Sequence, residues 1–542
     1  MSIKKYGIYL AYPPHVDLRH EGLGRHLSEF LKGAQSKESA KFVIACPSWM
    51  QSNLIDLFIS ANIAKENIEF ISPKKQPLIL TLYNRYILFS KKKTRSINFI
   101  YKIKKITQKN TNLLFYNTKK SLLNIRSLNL INSIALLLLV ILLPALTFIY
   151  VFIKFIILMV RKIITYALKP INTDEINRLI LTPRNLKNNF TISSLYDILE
   201  RNEIELIQKA INTRVDINVW YCPTCFWPHF NYIKGPRVTC VPDVVLTNFA
   251  VGFSLIGGDR FSETFRAVEK SILQGKYFIT YSEDVKWRTL VEKYHINPKN
   301  ITVIRHGANR LDDLLRIKGS QLGIIEASDL CFNYYLNSLK KSIGNSFIDS
   351  WRSKEINYIF YASQFRPNKN ILSLLKAFNF IVKNHNESLK LIMTGNPLIL
   401  PEINEYINNN KLHSQILCLH GLSIQELASL YKMAKLAVNP SLSEGGFPFT
   451  FTEALSVDTP VVMAKIAVTE EIVTSSELKD IMLFDPYNWL DMSQKILWSL
   501  DNQEYLLEKQ KILYEQLKSR NWSDVVNEHL NTFDNVSNDH RE

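Results

Sequence analysis

The chain has 542 residues, of which 46% are hydrophobic and 21% are charged, so its composition is typical of a globular protein and excludes a disordered one. Its length predicts more than one domain, and six cysteines are too few to indicate a disulfide scaffold. The formal net charge of +17 leaves three kinds of anionic partner open, namely nucleic acid, anionic lipid and phosphorylated ligands.

The first predicted element is a β-strand over residues 5–12, which ends in Tyr12-Pro13-Pro14. This segment lacks the apolar stretch and small-residue cleavage site of a signal peptide. A polar loop then leads into a predicted helix over residues 25–34, and Gly22 and Gly24 precede that helix. Residues 1–75 are therefore predicted to form the first part of an N-terminal Rossmann-like domain.

An insertion is predicted over residues 76–175. Residues 91–126 contain 11 lysines and arginines and no acid, and residues 127–153 contain no charge at all. The apolar run is long enough for one bilayer crossing, which needs about 20 residues. The alternative is a buried core helix. The basic flank favours attachment to an anionic membrane surface on the cytoplasmic side through residues of about 91–162.

The topology of this insertion stays open between a re-entrant, an in-plane and a spanning arrangement. Both flanks are assigned to one domain, so both ends must return to the same face of the membrane. Two full crossings need about 40 apolar residues, and residues 127–160 are too few. A bent hairpin near Pro144, or helices lying in the interface, fits this length best.

Residues 176–330 are predicted to complete the N-terminal domain on its acceptor side, with strands at 237–243, 277–282 and 301–306. Cys222 and Cys225 have the C-x-x-C spacing of a metal site, with His229 and Cys240 nearby. No second cysteine or histidine pair follows at zinc-finger distance. The pattern favours a buried strand that ends in two small apolar thiols.

The C-terminal half alternates strands with helices, which predicts a parallel sheet with ligands at the carboxyl ends of its strands. A linker at 331–354 precedes a domain at 355–490, and helices at 491–542 follow that could cross back to the first domain. Ser423 is a predicted helix N-cap, with Glu426 completing a capping box. Predicted strands include 356–363, 389–394, 415–419 and 461–464.

Two loops of this half carry residues suited to a ligand with both phosphate and sugar groups. Arg366 and Lys369 follow the strand at 356–363 and can bind a diphosphate. In residues 439–464, Glu444 precedes a Gly445-Gly446 turn and Glu453 lies inside the helix that begins near Pro448. Carboxylates accept hydrogen bonds from sugar hydroxyls, and the first turn of a helix suits a phosphate.

This segment resembles the donor-site motif of the retaining family 4 glycosyltransferases, also called glycosyl transferases group 1. The resemblance covers residues of about 355–490 well and the first half in pieces. Two departures are visible. Eight residues separate Glu444 from Glu453 where the family usually has seven, and Gln364 stands at the usual arginine position. The resemblance implies an α/β fold of two Rossmann-like domains that face a cleft (GT-B), here with a hydrophobic helical insertion in the N-terminal domain.

The resemblance also implies roles for individual residues. Glu444 would hold the donor sugar, and Lys369 and Arg366 would stabilise the departing diphosphate, as the catalytic group. Asp243 would line the acceptor side, although Pro242 replaces the usual histidine and capping of the next turn is an equal alternative for Asp243. No metal and no cofactor is implied. The donor-binding residues would be Glu453 on the ribose with Gly445, Gly446, Phe447, Gly22 and Gly24.

The implied function is a retaining glycosyltransferase that moves a hexose, such as mannose, from a nucleotide-sugar to a lipid-linked saccharide in surface polysaccharide or lipopolysaccharide biosynthesis. One alternative is a binding or scaffold protein of the same fold with an impaired donor site, and another is a same-fold epimerase. Nucleic acid is excluded as a partner, because the basic stretch adjoins an apolar segment and has few interleaved aromatic residues.

Overall fold

The computed structural model describes residues 3–77, 80 and 192–540, apart from gaps at 15, 21, 38, 65–67, 244, 258, 316–322 and 343–347. The predicted membrane segment at 91–162 lies outside the described residues, so its attachment to a membrane stays a prediction. Within the described ranges, no helix combines the length and the apolar composition that a bilayer crossing requires.

The described strands form two parallel sheets. The first has the strand order β3-β2-β1-β4-β5-β6-β7. Strands β2 and β3 lie on one side of β1 and strands β4 to β7 on the other, so the order of the strands reverses at β1. The strands are short, and the five inner ones are almost fully buried, as expected for a sheet covered on both faces. They are β1 (Lys4–Tyr9), β2 (Ala40–Ala45), β3 (Ile68–Ile71), β4 (Val219–Cys222), β5 (Arg237–Cys240), β6 (Tyr277–Thr280) and β7 (Ile301–Val303).

The second sheet repeats this arrangement in the C-terminal half, with the order β10-β9-β8-β11-β12-β13. Here β8 lies between β9 and β11, so the crevice of this sheet opens between the carboxyl ends of β8 and β11. Its strands are β8 (Tyr358–Tyr361), β9 (Lys390–Thr394), β10 (Ile416–Leu419), β11 (Leu436–Asn439), β12 (Val461–Ala464) and β13 (Leu483–Phe484).

Helices connect and cover both sheets. In the N-terminal half they are α1 (Gly22–Ala34), α2 (Gln51–Ser60), α3 (Ile192–Asn212), α4 (Val245–Asn248), α5 (Ala250–Gly257) and α6 (Asp259–Gln274). In the C-terminal half they are α7 (Gly323–Leu339), α8 (Ile371–Asn384), α9 (Pro401–Asn409), α10 (Ile424–Met433), α11 (Phe449–Leu455), α12 (Ala467–Ile472), α13 (Ser476–Met482), α14 (Trp489–Asp501), α15 (Gln503–Ser519) and α16 (Trp522–Asp539).

Helix α10 begins where the sequence predicts, at the N-cap Ser423. The Ser423 hydroxyl accepts a hydrogen bond from the Glu426 backbone N–H, and the Glu426 carboxylate accepts one from the Ser423 N–H. Two N–H groups that the first turn leaves without helical partners are thereby satisfied. The predicted capping box is confirmed.

The C-terminal domain begins earlier in the chain than predicted. Leu311 and Leu315 already belong to the C-terminal core, and Tyr335 of α7 donates a hydrogen bond to the Trp351 carbonyl at 2.7 Å within that core. Since these apolar side chains are buried with the second sheet, the predicted boundary at residue 330 is too late, and the residues assigned to a linker pack as part of the C-terminal domain.

The last helix, α16, returns to the N-terminal core. Its residues Trp522, Val526 and Phe533 are buried with the first sheet. The Tyr6 hydroxyl on β1 donates to Asp534 at 2.8 Å, which fixes the helix against the first strand. The helices α14 and α15 stay with the C-terminal core, so the crossing falls between residues 519 and 522.

Candidate functional site

An ion pair between Lys369 and Glu444 lies at the crevice of the second sheet. Lys369 ends a turn that follows β8, Glu444 lies in the loop after β11, and the lysine Nζ is 2.5 Å from Glu444 Oε1. Burial opposes the charge on Lys369, but the neighbouring carboxylate outweighs it, so the pKa of the lysine is raised. The ammonium group therefore stays charged and available to balance an anion.

Backbone and side-chain hydrogen bonds hold these two loops together. The Leu442 N–H donates to the Asn368 carbonyl at 2.8 Å, and Asn368 Nδ2 donates to the Ser443 carbonyl at 3.1 Å. Asn370 closes the turn in the left-handed region, at φ 54°, which asparagine tolerates better than most residues. The ion pair is therefore fixed by a rigid frame rather than by two free side chains.

Asp243 lies opposite this pair, after β5 of the first sheet. Burial raises the pKa of Asp243, and the nearby cations Arg366 and Lys369 only partly offset that effect while Glu444 adds to it. Its carboxylate also accepts a hydrogen bond from the Val245 N–H at 3.4 Å, in keeping with the capping alternative. A partly buried carboxyl group with a raised pKa in a cleft is a candidate for a functional role.

Arg366 lies on the same loop as Lys369. Its guanidinium donates to Gln364 Oε1 at 2.8 Å. Gln364, which stands where the family pattern has an arginine, therefore holds Arg366 in place. The structure brings Arg366, Lys369, Glu444 and Asp243 to one place, as the sequence led us to expect, and the contact between Gln364 and Arg366 is an addition to that expectation.

Glu453 lies inside α11 and is almost fully buried, with 3% of its side chain exposed. Its Oε1 accepts a hydrogen bond from Arg25 Nη1 at 2.9 Å and another from Asn309 Nδ2 at 3.3 Å. Both partners come from outside the second sheet, since Arg25 belongs to α1 and Asn309 follows β7. The carboxylate expected to hold a ribose thus contacts the opposite side of the cleft.

The glycine turn lies against loops of the first domain. A methyl group built on Gly445 would overlap the carbonyl oxygen of Pro242, and one on Gly446 would lie 2.9 Å from the Cβ of Tyr281. In this conformation the small residues admit those loops, and their part in donor binding stays a prediction. The Ser282 hydroxyl donates to the Gly445 carbonyl at 2.9 Å across the same contact. Phe447 packs on the C-terminal core beside Phe451.

The two glycines at the start of α1 have different surroundings. Nothing lies within 4 Å of a methyl group built on Gly22, whereas one on Gly24 would overlap the carbonyl oxygen of Leu18. Gly24 is therefore required by the packing of the preceding turn, and its part in donor binding stays a prediction. Gly22 lies in an open position.

A small cavity lies where the two domains meet, and its walls include Tyr281, His306, Phe449 and Thr452. Its volume of about 60 Å³ is enough for water but not for a nucleotide-sugar. Among the described residues, no cluster of three or more histidine, cysteine or acidic side chains could hold a metal ion. Cys222 and Cys225 are buried thiols.

Sequence reasoning missed the partners that the first domain supplies. Ser282 follows β6, Asn309 follows β7 and Arg25 lies on α1. Their contacts join residues 144 to 428 positions apart. A local pattern cannot report a contact of that separation, so no signal in one sequence could have identified these residues.

Comparison with known families identifies the second domain. Residues 346–520 match the family described as Glycosyl transferases group 1. The match covers β8 to α15 and includes both loops that carry Lys369 and Glu444. This part of the chain is therefore similar to the glycosyl transferases group 1.

A curated relative matches part of the chain. It is the O-antigen chain mannosyltransferase RfbU of Salmonella typhimurium, which is 25% identical over 211 residues, or 39% of this chain and 48% of the relative. The chain thus spans about half the length of the relative that it matches.

Solved structures match almost the whole chain at low identity. Anabaena Alr3699/HepE, in complex with UDP and glucose, aligns with a TM-score of 0.52 and 11% identity over 97% of this chain and 98% of its own. A glycosyltransferase of Rickettsia africae aligns with a TM-score of 0.50 and 12% identity over 99% of both chains. At such identities the likeness concerns the fold, which is the two-domain GT-B arrangement.

Proposed function

We propose that the chain is a retaining glycosyltransferase that moves a hexose, mannose or one similar to it, from a nucleotide-sugar to a lipid-linked saccharide in surface polysaccharide or lipopolysaccharide biosynthesis. The observation that carries the proposal is the Lys369–Glu444 pair beside Arg366 and Asp243, within a glycosyltransferase group 1 domain. The partial match to an O-antigen mannosyltransferase supports the sugar and the pathway class.

In the proposed reaction the bond between the anomeric carbon and the diphosphate oxygen breaks, the acceptor oxygen bonds to that carbon on the same face of the sugar, and the acceptor proton leaves with the diphosphate. The leaving diphosphate gains negative charge, which Lys369 and Arg366 would balance. Glu444 would accept hydrogen bonds from donor-sugar hydroxyls, and Glu453 from the nucleotide ribose. These cations take the part that a metal ion has in other transferases, so we expect transfer to survive excess EDTA.

The proposed membrane location rests on residues 91–162, which the structure does not describe. An apolar segment of this kind would hold the chain at the cytoplasmic face even at high salt, whereas a purely basic attachment would be released as its charges are screened. That location would bring the cleft to a lipid-linked acceptor.

The test of the proposed function is direct. Purified chain is incubated with labelled nucleotide-sugars and with a lipid extract from cells that lack the chain, and the lipid products are identified by mass spectrometry. The anomeric configuration is then assigned by NMR. Transfer of a hexose with retention supports the proposal, and absence of transfer from every donor contradicts it.

A second candidate is a binding protein with an impaired donor site. The observation in its favour is that Glu444 and Glu453 are both already paired within the chain. Thermal unfolding with added nucleotide diphosphates tests whether the chain binds a donor nucleotide. A rise in melting temperature on their addition, without transfer, would favour the binding protein, because a ligand stabilises the state that it binds.

A further inference from the structure

The contact between Arg25 and Glu453 joins the two domains directly across the cleft. Arg25 lies on α1 of the N-terminal core, and its side chain remains 44% exposed. Glu453 lies on α11 of the C-terminal domain and is 3% exposed. The acidic partner is therefore enclosed by protein while the basic partner reaches it from the cleft edge, so the pair exists only while the two domains are together.

Arg25 and a ribose would need the same acceptor. Glu453 Oε1 already accepts hydrogen bonds from Arg25 at 2.9 Å and from Asn309 at 3.3 Å. Ribose hydroxyls also bind a carboxylate by donating hydrogen bonds to it. Because only 3% of the Glu453 side chain is exposed and Arg25 is its more exposed partner, a ribose hydroxyl that bonds to this oxygen must displace Arg25.

Other contacts close the same interface without using a carboxylate of the proposed donor site. The Ser282 hydroxyl bonds to the Gly445 carbonyl, and the Asn309 N–H donates to Thr452 Oγ1 at 3.3 Å. Arg305 pairs with Glu471 at 2.6 Å at a more peripheral position. Loss of those contacts would loosen the closed form, whereas loss of Arg25 would in addition leave Glu453 enclosed without its cation.

We propose that Arg25 is an interdomain latch, which occupies the ribose-binding carboxylate when the cleft is closed and empty and which the donor nucleotide must displace. This proposal rests on the proposed function in assigning Glu453 to the ribose. The closed form binds no nucleotide, so the apparent affinity is lowered by the fraction of molecules that are closed. Inorganic diphosphate has no ribose hydroxyl to replace the guanidinium at Glu453, so its affinity should not depend on Arg25.

The first experiment measures nucleotide affinity by calorimetry, with UDP and GDP as probes and Arg25→Ala as the variant. Removal of the guanidinium should tighten the Kd of the bound nucleotide by about threefold or more, because the closed competitor is lost. Arg25→Lys keeps a cation and should stay close to the parent. Arg19→Ala is the matched control, because Arg19 pairs with Asp17 on the surface of the same domain.

Unchanged or weaker affinity in Arg25→Ala would overturn the latch. Weaker affinity would mean that Arg25 contacts the nucleotide itself, for example at its phosphates. Equal tightening in Arg19→Ala would also overturn it, since a general loss of positive charge would then explain the effect. Inorganic diphosphate should bind the parent and Arg25→Ala with the same affinity.

The second experiment needs no nucleotide. The six native cysteines are all buried, so cysteines introduced at Val215, which is 97% exposed in the first domain, and at Ile512, 65% exposed on α15, can be spin-labelled selectively. Arg25→Ala should lengthen or broaden the distance between the labels, and Arg19→Ala should not. Identical distances in Arg25→Ala and the parent would overturn the latch even if nucleotide binds.

The two experiments separate failure of the latch from failure of the proposed function. Glu453→Gln should open the cleft as Arg25→Ala does but should lose nucleotide affinity, because the neutral amide is a weaker acceptor. If the distance between the labels changes in Arg25→Ala but neither the parent nor the variants bind a nucleotide, the proposed function fails. The proposed competition between Arg25 and ribose then fails too. The change in distance would still show that the contact of Arg25 with Glu453 holds the domains together.

Discussion

The two domains contribute to the cleft in different ways. The C-terminal domain supplies Lys369 and Glu444 from two adjacent loops that hydrogen bonds join into one frame. The N-terminal domain supplies single residues from separate loops, among them Arg25, Ser282 and Asn309. The difference shows that one half carries a local site, whereas the other half only completes it when the domains approach.

The strongest test of this comparison removes the central cation of the local site. Lys369→Ala should lower the turnover of sugar transfer by about 100-fold or more, because a buried, preorganised charge is lost where the leaving group develops its own. Lys383→Ala is the control, since Lys383 is an exposed cation on α8 of the same domain. Turnover within twofold of the parent in both variants would show that the local site is not catalytic.

The stability of the N-terminal domain, with α16 packed on it, should fall more strongly in acid than that of the C-terminal domain. Burial lowers the pKa of His306 to about 3 and of His529 to about 4, from an ordinary value of 6.5, and places that of His26 well below it. The unfolded chain therefore binds more protons than the folded chain below pH 6.5. Stability is full above that pH and falls as the pH drops toward the folded pKa values.

At pH 5 the loss should reach about 2 kcal/mol for each buried histidine. Urea unfolding between pH 7 and pH 5, followed by fluorescence and by hydrogen exchange in the two domains, measures it. His529→Gln should reduce the slope with pH, and His385→Gln, at an exposed loop, should not. A stability independent of pH in this range would show that these histidines do not stay neutral in the folded chain.

The glycine turn tests whether close approach of the domains matters for activity. Gly445→Ala would place a methyl group against the Pro242 carbonyl, and a clash of this kind costs about 1–3 kcal/mol in a packed interface. Turnover should fall roughly tenfold, because each 1.4 kcal/mol is a factor of ten. Gly22→Ala has free space around it, so a fall in its turnover would report its predicted part in donor binding and not a clash between the domains. Equal turnover in Gly445→Ala and Gly22→Ala would show that catalysis does not need this close approach of the domains.

The smallest effect should be confined to the C-terminal domain. Ser423→Ala removes the side chain that caps α10, which should cost about 1 kcal/mol of stability. Differential scanning calorimetry should show a lower melting temperature for the transition of that domain, with the N-terminal transition unchanged. A shift of both transitions together would show that the halves unfold as one unit and would weaken the comparison.

Local elements could be predicted because their causes are local. The strand at 461–464 is recognisable from its apolar residues, and the capping box from Ser423 and Glu426. The cluster of Lys369 and Glu444 followed from two loops at neighbouring strand ends. The pair of Arg25 with Glu453 could not be anticipated, because 428 positions separate them and only the approach of two domains brings them together. The closed fit of Gly445 on Pro242 has the same origin.

The return of α16 to the first sheet has a consequence for synthesis on the ribosome. Residues 4–303 leave the ribosome early, but Trp522, Val526 and Phe533, which bury part of their core, are translated more than 200 residues later. Domains usually fold in the order of translation. Here the C-terminal domain can close its own core first, while the nascent N-terminal domain keeps an uncovered apolar face that a chaperone would recognise until the last helix arrives.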